Sequence, residues 1–96
     1  MKRDDVLRIL AEHWGEFDRF AVKRLALFGS VARDEAGPDS DVDVLVEFDG
    51  PATFNRYMDL RICLEDLLGA RIDLVTRRAL RDRLRPRIEQ EAIDVS

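Results

Sequence analysis

A chain of 96 residues, 46% hydrophobic and 38% charged, can bury a core beneath a densely charged surface, as one small domain over 1–96. Its net charge of −4 excludes a general polycationic surface for nucleic acid, although residues 1–70 carry a net −6 and residues 71–96 a net +2. Cys63 stands alone, no apolar run approaches the ~18 residues of a membrane span, and the acidic, short start MKRDDVLRIL is no signal peptide, so the chain reads as soluble and cytoplasmic.

Asp4 or Asp5 can cap a first helix, along which Val6, Leu7, Leu10, Trp14 and Phe17 recur at helical spacing as a packing stripe. His13, the single histidine, sits off that stripe with nothing beside it to tune it, and reads as structural or inert. Val22 to Phe28 is a first strand, ended by Gly29. Ser30 to Arg33 suits one helical turn, and AGPDS at 36–40 is turn chemistry in which Gly-Pro forbids a continuing helix. Asp41 to Phe48 is a second strand. Val42, Val44, Val46 and Phe48 share one face, and Asp41 and Asp43 share the other.

Thr53 or the turn before it starts a second helix whose broad apolar face includes Phe54, Tyr57, Leu60 and Leu64, and Gly69 is placed to stop it. That helix suits homo- or hetero-oligomer formation, while Tyr57 and Met58 equally suit a core. Arg71 to Val75 is a third strand, with Ile72 and Leu74 on one side and Asp73 on the other. Leu80, Leu84, Ile88 and Ala92 lie four apart in a last helical region, where Pro86 begins a new segment or kinks the existing one. The order α-β-turn-β-α-β-α predicts an α/β (α+β) sandwich: a small mixed three-stranded sheet with helices packed on one face. If Ser30 and Asp41 act together, strand one must end where strand two begins, which makes those two antiparallel. No G-x-G-x-x-G is present to argue for a Rossmann sheet.

The acids carry the chemistry. Aspartate is depleted in strands, yet two sit in one strand and a third in another. Mg²⁺ takes one or two carboxylates together with phosphate oxygens and water. Two such ions about 3.5–4 Å apart clamp the attacking and leaving oxygens of an in-line displacement. Asp41 and Asp43 can share those ions, and Asp73 supplies a third carboxylate that helps deprotonate a hydroxyl. Gly29 lets a phosphate approach the backbone, and Ser30 offers a hydroxyl and an amide. Arg33 can reach phosphate from the same turn, though an exposed arginine is the plainer reading. Gly-Ser alone is too common to carry weight; the joint spacing is specific.

Gly-Ser, ten residues, Asp-x-Asp and a later Asp in an apolar β-run resemble the minimal nucleotidyltransferases of the DNA polymerase β superfamily. LFGSVAR and SDVDVLVEF match that pattern closely, and the order of elements extends the resemblance over the whole chain. The resemblance implies the nucleotidyltransferase fold, with Gly29 and Ser30 holding the nucleotide triphosphate, Asp41 and Asp43 binding Mg²⁺, and Asp73 as the third catalytic and metal-binding carboxylate. Stand-alone domains of this size resemble MntA-type antitoxins, which pair with HEPN-type ribonuclease toxins. That implies transfer of AMP from ATP to a tyrosine hydroxyl of such a toxin, with two Mg²⁺ ions.

Two alternatives come from other classes: a non-catalytic antitoxin that masks its partner, and a transferase acting on a small molecule or RNA end with a separate acceptor-binding subunit. The stretch from Arg77 to Arg87 holds six arginines and one acid, Asp82. It reads either as a solvated face or as a basic surface for an acidic partner or for nucleotide phosphates. Without interleaved aromatics, it argues against single-stranded nucleic acid.

Overall fold

The computed structural model describes residues 2–95. The chain runs through α1 (Arg3–Glu12), a 3-10 segment (Trp14–Phe20), β1 (Val22–Phe28), α2 (Gly29–Ala32), β2 (Val42–Phe48) and α3 (Phe54–Leu68). It continues through β3 (Ile72–Thr76), a short 3-10 turn (Arg77–Ala79), α4 (Arg85–Glu91) and β4 (Ile93–Asp94). The strands form one mixed sheet in the order β3-β2-β1-β4. β1 and β2 are antiparallel, β2 and β3 parallel, and β4 lies antiparallel on the outer side of β1. The sheet thus has four strands where the sequence predicts three. β4 is too short to show alternation, and its place depends on a distant pairing, in which the Val95 amide donates to the Leu25 carbonyl at 2.9 Å.

Local signals act largely as their chemistry predicts. The Thr53 hydroxyl accepts from the Arg56 amide at 3.2 Å and caps α3, and Gly69 ends it in the left-handed conformation at φ 61°. Pro86 sits in the first turn of α4, so it begins a segment and does not kink one. Neither Asp4 nor Asp5 is the cap, which is Lys2; they lie two and three residues beyond it in the first turn of α1, where they still favour the positive helix end. Phe17 belongs to a separate 3-10 segment and packs edge-on to Trp14 with ring centroids 6.0 Å apart. His13 ends α1, its Nδ1 2.8 Å from the Ile9 carbonyl, which is a structural role.

Period-two alternation divides the sheet into two faces. On one, Leu25, Leu27, Val44, Val46 and Leu74 pack with Val6 and Leu10 of α1 and Leu60 and Leu64 of α3 into the main core. Tyr57 joins that core and donates its hydroxyl to the Leu74 carbonyl at 2.6 Å. The opposite face is not left bare. Ala26, Phe28 and Leu45 form a second cluster there with Leu80, flanked by Val75, Ile88 and Ala92. The expectation of helices on a single face is corrected to this extent, because strand residues between the valines are themselves apolar.

No residue of α4 is fully buried; Ile88 rests against the second cluster, and charge fastens the helix as well. Glu89 accepts from Arg24 of β1 at 2.9 Å and from Arg77 at 3.1 Å, while Arg24 Nε donates to Asp94 at 2.7 Å. These bonds hold the Arg24 pKa above and the Glu89 pKa below their ordinary values. Arg24→Ala is therefore expected to cost about 1–2 kcal/mol, the scale of partly screened charged hydrogen bonds. Urea unfolding would measure the loss, and faster amide exchange at Val95 would localise it; an unchanged midpoint would show the network to be ornamental. Among the described residues, no helix is long and apolar enough to cross a membrane.

Candidate active site

Strand register draws the predicted residues to one end of the sheet. β1 ends at Phe28, which pairs with Asp43 near the start of β2, and Asp43 pairs in turn with Asp73 on β3. Residues in register on adjacent strands project to the same side. Gly29 follows immediately as the first residue of α2, with φ +73°. A Cβ at this position would collide with Asp43 Oδ2 and lie 2.9 Å from its Cγ. The glycine therefore does two jobs: it adopts a left-handed conformation, and it lets the main chain lie flush against a carboxylate.

Asp43 is half-buried at the border of the second apolar cluster, whose members Phe28 and Leu45 flank it through the register and along the strand. Its pKa is pushed from 3.8 up to about 6. Burial is the largest cause, followed by the charge of Asp73, the hydrogen bond the protonated form makes with Asp73, and the charge of Asp41; Arg33 pulls the other way. Two adjacent carboxylates, one disfavoured as an anion, form a donor set that a hard divalent cation would relieve. The residues present thus fit Mg²⁺ by charge and by ligand type.

The other predicted residues are nearby but engaged elsewhere. Asp41 is exposed and accepts from Arg71 Nε at 3.1 Å. Among the described residues no three Asp, Glu, His or Cys side chains converge into one metal-sized cluster, so the triad stands as a close pair with Asp41 beside it. Ser30 is half-buried, and its carbonyl accepts from the Glu35 amide at 2.8 Å. Arg33 donates through Nε to Glu35 and through Nη1 to Glu91, both at 3.1 Å. Nucleotide binding by Arg33 would require it to exchange these carboxylates for phosphate.

Arg71 and Glu91 are the partners that sequence reasoning passed over. Arg71 was legible in principle, because it stands two residues before Asp73 and so shares its strand face. Glu91 meets Arg33 only through the docking of α4 across 58 residues of chain, and it had no local signal.

Comparison with known proteins adds independent support. The family model for a nucleotidyltransferase domain matches residues 4–95. The protein adenylyltransferase MntA of Thermococcus cleftensis is 37% identical over 93 residues, covering 96% of this chain and 94% of that protein. A relative from Methanocaldococcus jannaschii is 40% identical over 81 residues, covering 81% of each. A solved structure described as a minimal nucleotidyltransferase is 41% identical, with a TM-score of 0.84 over 97% of this chain and 95% of that one. A chain from a toxin–antitoxin crystal structure with AMP-PNP shares the fold at 18% identity, with a TM-score of 0.70 over 100% of this chain and 73% of that one. The sheet order, the register of the acids and these relatives agree: this chain belongs to the nucleotidyltransferase domain family.

Proposed function

We propose that this protein transfers AMP from ATP to a hydroxyl of a partner protein, a tyrosine of a HEPN-type ribonuclease toxin, and thereby acts as its antitoxin. The observation that carries the reading is the side-by-side register of Asp43 and Asp73 with Gly29 packed against Asp43. The acceptor class rests on the adenylyltransferase relative, which matches along nearly its whole length.

In the proposed reaction Gly29 and Ser30 hold the triphosphate by main-chain approach, and Arg33 neutralises phosphate charge after leaving Glu35 and Glu91. Asp41, Asp43 and Asp73 are the residues that would hold Mg²⁺, which supplies charge neutralisation at the phosphates. The acceptor oxygen forms a bond to the α-phosphorus, the α–β anhydride bond breaks, pyrophosphate leaves, and the hydroxyl proton passes to Asp73, which is exposed. Catalysis on this account is chiefly positioning and electrostatics.

A second reading, neutralisation by binding alone, is favoured by the engagement of Asp41 with Arg71 in place of the acid pair. One experiment separates the two. The protein is incubated with labelled ATP, Mg²⁺ and the product of the adjacent gene. Label on a partner tyrosine with loss of ribonuclease activity is the expected result. Stoichiometric inhibition without any label would replace transfer with masking.

A further inference from the structure

Four arginines of the segment before and within α4, namely Arg78, Arg81, Arg83 and Arg87, form no ion pair with any carboxylate among the described residues. They contrast with Arg24, Arg33, Arg71 and Arg77, each paired at 3.1 Å or less. Unpaired like charges crowded on one short segment repel one another, and in an otherwise acidic chain this local excess of charge is not a general surface property. Leu84, in the midst of them, is 43% exposed. An exposed apolar side chain on a segment with four arginines that form no ion pair suits a protein surface of acidic and apolar residues.

The segment's position relates it to the active site. Leu80 anchors it into the cluster of Ala26, Phe28 and Leu45, on the sheet face that also carries Asp43 and Asp73. Arg85 stiffens the turn by donating to the carbonyls of Arg77 at 3.4 Å and Leu80 at 3.2 Å. Beside it, at the far end of β2 and β3, opens a pocket of about 210 Å³ lined by Arg77, Arg78, Arg85, Glu47, Phe48 and Thr76 among others. Of its three cations Arg77 is paired with Glu89 and Glu47 and Arg85 with Asp82, so Arg78 is the one that brings an uncompensated charge to the lining. From Asp43 to Glu47 along β2 is four residues, about 13 Å at strand rise.

Resting on the transferase reading above, we propose that the arginine segment 77–87 and its pocket dock an acidic stretch of the acceptor protein. An extended acceptor whose hydroxyl sits at the carboxylates would then carry its acidic residues about four positions away. RNA is the less suitable occupant, because the segment contains no aromatic side chain for bases to stack on.

The test uses the full chain and two fluorescein-labelled probes, a 12-residue peptide of glutamates interrupted by leucines and a 12-nucleotide oligo-U. The triple variant Arg78→Glu, Arg81→Glu, Arg83→Glu is compared with wild type and with the corresponding triple lysine variant. Peptide binding is expected to weaken at least fivefold in the charge reversal and to survive in the lysine variant. ATP binding should stay within twofold in both, which also certifies the fold. No peptide binding by wild type, a smaller loss on reversal, or oligo-U bound as tightly as peptide would overturn the docking surface. A parallel loss of ATP affinity would do so too, by assigning the arginines to the nucleotide. Absence of AMP transfer by wild type in the labelled-ATP experiment would strike the proposed reaction instead, and would leave the peptide result standing.

Discussion

Replacing Asp41 and Asp43 together by asparagine is expected to lower AMP transfer by about a thousandfold or more, the scale of losing preorganised charge at a phosphoryl site. The fold should remain intact, since Asp41 is exposed and Asp43 half-buried, and asparagine keeps their shape. The same change makes a prediction about stability in EDTA that activity cannot supply. Because the folded-state pKa of Asp43 is raised to about 6 from 3.8, the folded chain retains a proton that the unfolded chain has already released. Folding therefore takes up a proton in the window between these values, and the Asp43 contribution to stability falls as pH rises through it. Below about pH 4 both states are protonated and the group is neutral to folding; above about 6 the full penalty for ionised Asp43 applies. Thermal melts of wild type and the Asp43→Asn single variant across pH 4–7.5 would measure the difference. The variant should become the more stable protein toward neutral pH. Parallel pH curves would refute a carboxylate strained by burial and by Asp73, and retained transfer in the double variant would refute the metal-binding assignment.

Gly29→Ala should damage both stability and chemistry, and for separable reasons. A left-handed conformation costs a residue with Cβ roughly 1–2 kcal/mol. The added methyl would also have to displace the Asp43 carboxylate, so we expect a total loss of about 2–3 kcal/mol. On the proposed reaction, moving the Asp43 carboxylate by even an ångström should cost about a hundredfold in transfer. Gly15→Ala is the matched control, because nothing lies within 4 Å of a Cβ built there and its φ is not in the left-handed range. Urea unfolding and labelled-ATP kinetics on both variants decide the matter. A stable, fully active Gly29→Ala protein would mean that the close approach to Asp43 is dispensable.

The parts of this fold legible in the sequence were those with short-range causes. Alternation in VDVLVEF and RIDLV predicted which residues face the main core, and turn chemistry at AGPDS, the cap at Thr53 and the stop at Gly69 delimited the elements. Requiring Ser30 and Asp41 to meet predicted the antiparallel β1–β2 pair that the register contains. What escaped depends on contacts between distant residues. β4 exists because the last residues return to the edge of β1, and two residues have no period to read. The second apolar cluster escaped because Ala26, Phe28 and Leu45 have no covering partner nearby in sequence, and Leu80, brought over from far along the chain, turns them into an interior. Of the site, the presence of acids in or beside the strands at Asp41, Asp43 and Asp73 was legible, while the register that sets Asp43 beside Asp73 follows from the parallel pairing of β2 and β3. The diversion of Arg33 to Glu91 was not legible, because ion-pair choice among many surface charges follows from tertiary geometry.

That second cluster has a consequence for how such a protein can change over generations. Dehydration by its surroundings is the foremost reason that Asp43 resists ionisation, and those surroundings are ordinary packing residues such as Leu45 and Phe28. A substitution that merely loosens this packing would admit water and return Asp43 toward the acidity of a free aspartate, without touching any residue of the reaction. Drift in the interior of this face and drift in its chemistry are therefore not independent, and a lineage that repacks Leu45 also retunes its acid.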